Sequence, residues 1–408
     1  MTRNLSNQNK SPRRLTAYVS ILGTTQLHLR NPWIVAWWSI AFPGFGHLLL
    51  AKYLRGYILI GWELVINSMS NLNQAMVYSF TGKFELAKSV IDVRWLALYA
   101  PVYLFAVYDS YRTTIDLNNQ FILANRERAF TPPFHMTGLE INYMDKRNPW
   151  LALLWSLLMP GMGQLYIHRI ASAFYILLAW IGTTYLSHLL EGIQYTLLGD
   201  FRHATDVLVP KWLMFMPSIY CFALYDAYVN TVESNKAFDK EQRYFLKENY
   251  QVRKADHMRV ISSFDHSIYL EMALTALEEN GIDRKNILAV PLDRIADQPK
   301  KILDTMHRSD GISYIDTGIA CATALTVIAS SIGFKLAWGP IIWGLIGAVT
   351  GFFIGMLIDM LIRSPKDTRP VSKIKTEVVV LVDCDEKQIE MVENILWKHF
   401  AFGVAKLK

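Results

Sequence analysis

Cysteine is nearly absent from this chain of 408 residues: Cys221, Cys321 and Cys384 are the only three. They are odd in number and widely spaced, so they support neither a disulfide framework nor a cysteine metal cluster. They read as packing residues. Charge is thin as well. Asp, Glu, Lys and Arg make up 19% of the chain, against 52% apolar and 13% aromatic residues. That balance excludes a disordered chain and a collagen-like fibre. Catalytic signatures are missing too: there is no P-loop, no dinucleotide fingerprint after a strand, no nucleophile elbow, no H-x-x-x-H and no C-x-x-C. The sequence therefore assigns no enzyme activity, cofactor or metal.

Long apolar runs dominate instead. The length suits two or three domains, and mean hydropathy is positive. The 41 Lys and Arg exceed the 35 Asp and Glu, for a net charge of +6. In a soluble protein such an excess would suggest nucleic acid. Here the basic residues flank apolar runs, which points to the lipid bilayer and away from nucleic acid. The first apolar stretch, Leu15–Gly23, is too short to span and carries no cleavage pattern, so no signal peptide is expected.

The chain repeats itself. Arg30-Asn31-Pro32-Trp33 recurs 117 residues later as Arg147-Asn148-Pro149-Trp150, and Pro43-Gly44-Phe45-Gly46 as Pro160-Gly161-Met162-Gly163. Tyr108-Asp109 and Tyr111 become Tyr225-Asp226 and Tyr228. Roughly 28 positions are identical over about 92 aligned without a gap. The reading is a basic, polar tail (1–29), unit one (30–121), a linker (122–146), unit two (147–238) and a charged linker (239–257). Two copies are too few for a solenoid and suit a pseudo-symmetric helical membrane bundle.

Each unit holds three apolar segments. The first, Pro32–Leu50 or Pro149–Ile167, contains the Pro-Gly-x-Gly break. The second, Gly56–Phe80 or Ala171–Leu198, is long enough to span. The third runs from Trp95 to Thr114, or Trp212 to Thr231. Three crossings per unit would make the copies antiparallel, and a re-entrant Pro-Gly segment would make them parallel. Basic stretches flank both units: Lys10, Arg13 and Arg14, then Arg126 and Arg128, then Lys236 to Lys254. The positive-inside rule places all three in the cytoplasm and favours the parallel arrangement.

Met159-Pro160-Gly161-Met162-Gly163-Gln164-Leu165-Tyr166, followed by Arg169, resembles the loop of the TM2-type membrane domain. The first copy departs from that pattern at His47 and Leu49. The resemblance implies a membrane-embedded module with no reaction attached.

Beyond residue 257 the composition changes. Met258–Phe264 reads as a strand, Ser267–Asn280 as a helix and Asn286–Pro291 as a strand. Lys375–Val382 is a β-branched strand, Glu386–His399 a helix with an apolar stripe, and Phe402–Leu407 a last strand. Two β-α-β halves (258–312 and 364–408) usually form a ferredoxin-like α+β domain. Between them (313–363) lie two apolar segments near span length, Gly318–Leu336 and Gly339–Ile362. Gly347, Gly351 and Gly355 recur every four residues on one, and Gly318 and Ala322 on the other, a spacing that lets helix backbones approach. The plain reading is a transmembrane glycine-zipper hairpin used for packing; the functional one is a pore lining.

Ser262-Ser263-Phe264, Ala273-Leu274-Thr275-Ala276-Leu277 and Asn286-Ile287-Leu288-Ala289-Val290 resemble the small bacterial glycine-zipper general-stress proteins. That resemblance implies a membrane-tethered α/β module, a bacterial inner membrane and a link to stress, without an activity.

Candidate site residues follow. Glu63, Asn67, Ser70, Asn71 and Gln74 are expected to form a polar stripe on the second helix of unit one, with Thr184, Ser187, His188 and Glu191 as its counterpart in unit two. Polar groups at membrane depth mark either a hydrogen-bonded seam or a path for ions or a small polar solute. His188 and Glu191 lie three apart but lack further metal ligands. Arg30 with Asp109, and Arg147 with Asp226, are expected to pair within their units. Asp316, Asp359 and Lys335 are expected to anchor the hairpin at the interface. The whole reads as a multi-pass, mainly α membrane protein whose N-terminus and α+β domain are cytoplasmic. It is a scaffold or stress-linked regulator, or alternatively a channel or transporter. Self-association and a protein partner of the α+β domain are expected.

Overall fold

Residues 14–127, 131–250, 258–292, 314–362, 378–385 and 387–407 are described by the structure, a computed structural model. Lys10, Arg13, Arg128, Arg253, Lys254, the expected strand start at Lys375 and helix start at Glu386 lie outside them. The chain divides into two compact units. Met1–Ala129, Asn148–Val232 and Ile302–Ser364 make the first, and Phe130–Arg147, Glu233–Lys301 and Pro365–Lys408 the second.

The first unit opens with a hairpin of β1 (Ala17–Ser20) and β2 (Gly23–Gln26) where a polar tail was expected. Six helices follow: α1 (Pro32–Ala41), α2 (Phe45–Leu49), α3 (Tyr53–Ser70), α4 (Leu72–Phe80), α5 (Phe84–Val90) and α6 (Val93–Glu127). In the second unit, β3 (Phe134–Met136) and β4 (Ile141–Tyr143) form another hairpin. Back in the first unit, the helical series recurs as α7 (Pro149–Leu158), α8 (Met162–Tyr166), α9 (Ile170–Leu186), α10 (Leu189–Leu197), α11 (Phe201–Val207), α12 (Pro210–Leu213) and the start of α13 (Met216–Asn249).

The repetition extends to atoms. Asn31 Oδ1 accepts from Trp33 N, and Asn148 Oδ1 from Trp150 N, both at 3.0 Å. Each asparagine caps a helix whose first residue is proline, which needs no N–H partner. Asn118 holds the backbone of Arg30 through two hydrogen bonds, and Asn235 holds Arg147 in the same way. The hairpins obey the 117-residue offset as well: Leu27 N donates to Thr16 O and Met144 N to Pro133 O, each at 2.8 Å. The repeat therefore begins before Arg30.

The second apolar segment does not form one straight helix. It breaks at Asn71 and at the aligned His188, both left-handed at φ 55°, a conformation that Asn and His tolerate better than most residues. Asn71 Nδ2 fixes the first break by donating to Val90 O at 3.2 Å. Helices α9 and α10 meet at 64°. Among the described residues two helices are long and apolar enough to cross a membrane, Ile315–Gly333 and Gly339–Asp359, or up to five if each bent pair is one span. Helix α3 is not among them, since Arg55, Glu63 and Asn67 lower its hydropathy. Both third helices outrun their expected ends, α6 reaching Glu127 and α13 reaching Asn249.

The first unit's core stacks Phe42 on Phe45 and Phe45 on Phe222, with ring centroids 4.5 and 4.1 Å apart. The first unit closes with two helices packed side by side, Tyr314–Gly333 (α15) and Gly339–Ile362 (α16), numbered by their place in the chain.

In the second unit, β5 (Met258–Phe264), α14 (Ile268–Glu279) and β6 (Ile287–Pro291) precede that helical pair in sequence, and β7 (Val378–Cys384), α17 (Ile389–Lys398) and β8 (Gly403–Leu407) follow it. The four strands form one antiparallel sheet in the order β6-β7-β5-β8. Alternation puts Val378, Val380 and Val382 into a core with Val260, Phe264, Leu274, Leu277, Val392 and Leu396. This burial holds α14 and α17 against one face.

Candidate functional site

The Pro-Gly-x-Gly turns fold each copy around an acid of the third long helix, half-buried Asp109 in the first copy and buried Asp226 in the second. Gly44 and Gly161 have φ of 103° and 102°, reached without strain only by glycine. A Cβ on Gly46 would lie 2.5 Å from Val35 O, and one on Gly163 would strike Ala152 O in the same way. These close approaches aim the next residue, His47 or Gln164, at the acid of the third long helix. His47 Nε2 lies 2.9 Å from Asp109 Oδ2, and Gln164 Nε2 donates to Asp226 Oδ2 at 3.2 Å.

A cation completes each site. Arg169 Nη1 is 2.5 Å from Asp226 Oδ1, with both side chains buried. Asn230 Nδ2 also donates to Asp226 Oδ1 at 2.8 Å. In the first copy Arg55 Nη1 reaches Asp109 Oδ2 at 2.7 Å, but Arg55 is half-exposed. The expected Arg30–Asp109 and Arg147–Asp226 pairs are thus replaced. The Pro-Gly turn brings the following segment under the acid, while Arg30 and Arg147 are held at the helix starts by Asn118 and Asn235. Arg147 lies over the Tyr143 ring. Sequence reasoning named His47, Gln164 and Arg169 only as positions of the turn motif and missed their pairing with the acids, and it missed Arg55 altogether. The signal was present in the equal offset of His47 to Asp109 and Gln164 to Asp226.

The polar stripe survives in one copy only. Glu63, Asn67, Ser70 and Asn73 are buried. Asn67 Nδ2 donates to Glu63 Oε1 at 2.8 Å and to Asn73 Oδ1 at 3.2 Å, while Asn73 Nδ2 donates to Lys211 O at 3.1 Å. Asn73 was missed. Gln74 falls beyond the break and donates instead to Tyr78 OH. Glu63 Oε2 is buried without a hydrogen-bond partner, with the Tyr99 phenol beside the carboxyl. In copy two Trp180 stands at the position of Glu63 and Leu190 at that of Asn73. Ser187 is buried, but His188 and Glu191 are exposed and pair with each other at 3.1 Å. Thr184 is half-buried and its neighbour Thr183 takes the buried place. From the break at residue 188 onward, the expected stripe faces outward at His188 and Glu191.

In the helical pair, Cβ atoms on Gly347, Gly351 and Gly355 would all lie within 2.5 Å of a carbonyl oxygen of α15. On Gly318 a Cβ would meet the Phe352 ring at 3.2 Å and the Phe352 carbonyl oxygen at 3.3 Å, and Ala322 packs backbone-close to Gly351. Asp316 is buried and accepts from Tyr225 OH at 2.9 Å, and Asp359 is buried as well, so neither is the exposed anchor expected; Lys335 is exposed.

The second unit has its own polar chain. Arg243 Nε can only donate, so its 3.0 Å contact makes His266 Nε2 an acceptor and leaves Nδ1–H to donate to Gln242 Oε1 at 2.9 Å. Gln242 Nε2 then donates to Glu271 Oε1 at 2.8 Å. Burial, and then the negative charge of Glu271, push the Glu241 carboxyl from 4.5 up to about 7. The folded chain thus keeps a proton that the unfolded chain releases. The stability due to Glu241 is full below pH 4.5 and is lost as pH rises towards 7. Replacing Glu241 by Gln is expected to flatten the pH dependence of thermal unfolding across that window. Equal slopes in the two proteins would refute the assignment.

Among the described residues no group of three His, Cys, Asp or Glu side chains is placed to hold a metal. No protein-family model matches the chain, nor does any curated protein or solved structure. The functional reading therefore rests on the geometry.

Proposed function

We propose that this protein is an integral membrane scaffold: two TM2-like helical units, and a ferredoxin-like domain outside the hydrocarbon that docks a protein partner. The observation that carries this reading is the outer face of α16. Its inner glycines are in backbone contact with α15, while Leu345, Val349, Phe353, Leu357 and Leu361 stand exposed along a helix of 24 residues. A water-facing surface of that kind is unfavourable, and hydrocarbon satisfies it. The order β-α-β-β-α-β with neighbouring strands β6-β7-β5-β8 supports the ferredoxin-like part. The paired Asp226 and Arg169 support packing rather than passage, because their polar atoms are directed at each other. The glycine-zipper resemblance adds the bacterial inner membrane and the link to stress, and the basic flanks add a cytoplasmic N-terminus and α+β domain.

One observation favours a channel or transporter as a second reading: the buried, unmatched Glu63 Oε2. Reconstitution in liposomes separates the two. The scaffold should resist alkaline extraction from membranes and show no proton, cation or small-solute flux above empty liposomes. Flux that Glu63→Gln abolishes would replace the scaffold with a transporter.

A further inference from the structure

The exposed aromatic side chains of the α+β domain gather at one end. Tyr269, Trp397, Phe400 and Phe402 are 46%, 49%, 67% and 50% exposed, and Leu292 beside Pro291 is exposed too. Tyr269 and Phe400 touch, with ring centroids 4.9 Å apart, and Phe402 N donates to Ser263 O at 2.7 Å. The strand register fixes which end this is. Phe264 pairs with Val378, Val378 with Pro291, and Ser263 with Gly403. At this end the chain leaves β6 for α15 and returns from α16 to β7. The opposite end, around Asp283, Arg284, Lys285 and Asp385, is charged and exposed.

Three further facts name the occupant. The return segment, residues 363–377, carries Arg363, Lys366, Arg369, Lys373 and Lys375 against Asp367 and Glu377, a net +3. Its 15 residues span at most about 50 Å, a length over which the end of the domain that it joins can reach a bilayer that the hairpin enters. Tyr, Trp and Phe beside Lys398 suit the headgroup layer, where aromatic rings and basic residues are both favoured.

We infer that this aromatic end of the α+β domain is a lipid-docking surface, seated in the headgroup layer of an anionic phospholipid bilayer. The inference rests on the membrane reading above and adds to it a fixed face for the domain. A protein partner would then engage the rest of the domain, such as the sheet face opposite α14 and α17, where Ile261, Leu288, Val379 and Leu381 are half-buried.

Photo-crosslinking of the full chain in proteoliposomes tests it. Benzoylphenylalanine replaces Phe402, Phe400, Leu357 or Lys285 in separate proteins, and adducts are read by intact mass. Positions 402 and 400 are expected to take up phospholipid in vesicles of phosphatidylglycerol and phosphatidylcholine. The yield should fall about tenfold in phosphatidylcholine alone, the scale that one to two basic residues at an anionic surface set, and position 285 should take up none. Lipid adducts at 357 without any at 402 or 400 would overturn the inference while leaving the membrane reading intact. Failure at 357 as well would defeat the membrane reading itself. An adduct of two chains through 402 would assign the surface to self-association instead, and equal yields in both lipids would refute the anionic preference.

Discussion

Asp226→Ala is expected to destabilise the protein by about 3–5 kcal/mol, the scale for leaving one member of a buried ion pair without its partner. Arg169 and Asp226 are both buried, and the acid also holds Gln164 and Asn230. Removing it strands a guanidinium where water does not reach. A drop of roughly 10 °C in melting temperature should follow. The double replacement Arg169→Met with Asp226→Leu should recover most of it, because a well-packed apolar pair can substitute for a buried ionic one. The first copy offers an internal control. Arg55 is half-exposed while His47 on the same acid is buried but uncharged when neutral, so Asp109→Ala should cost about 1–2 kcal/mol. Thermal unfolding in detergent measures all three. Similar melting temperatures for Asp226→Ala and Asp109→Ala would show that the two copies are held alike, against the structure.

Gly351→Leu is the second large effect. Its Cβ would lie 2.5 Å from Cys321 O and 2.7 Å from Ala322 Cα, both backbone atoms that cannot swing aside. Overpacking of this kind costs about 3 kcal/mol or more, and here it would separate α15 from α16 along their length. The protein should lose its monodisperse, folded fraction. Gly61→Leu and Gly182→Leu are the matched controls, since nothing lies within 4 Å of a Cβ at either position. Gly318→Ala should be milder than Gly351→Leu, because its Cβ would meet the Phe352 ring and carbonyl oxygen at 3.2 and 3.3 Å, where that of Gly351 meets backbone at 2.5 Å. Should Gly351→Leu purify and melt like Gly61→Leu, the glycines would not be setting the helix separation.

What could be read from the sequence was whatever side-chain identity itself encodes. The Pro-Gly turns, the Asn-Pro helix starts and the repeated Asp are chemical requirements, so they recur as letters. The strand at Val378–Cys384 was legible because the run Val378-Val379-Val380-Leu381-Val382 is largely β-branched and closed by Asp383, which suits a strand. The hairpins β1–β2 and β3–β4 were not legible. Their backbones match at the 117-residue offset, yet only Leu22 and Leu139 agree in residue type. The left-handed breaks at Asn71 and His188 were hidden for a similar reason: no glycine announces them. That error misplaced the stripe, because a helical face continues only while the helix does. The ion pairs were misassigned because proximity was inferred from the ends of the units, whereas the glycine turn brings a segment from the middle of the unit under the acid.

The sheet order has a consequence for biosynthesis. Strands β5 and β6 are made first and never touch each other, because β7 lies between them. Residues 292–377, 86 in all, must be translated before β7 exists, which takes about 4–17 s at ordinary elongation rates. During that interval β5, β6 and α14 have no sheet to complete. The domain can assume its native form only after the helical pair has left the ribosome, so its closure is a late checkpoint that registers the hairpin's synthesis.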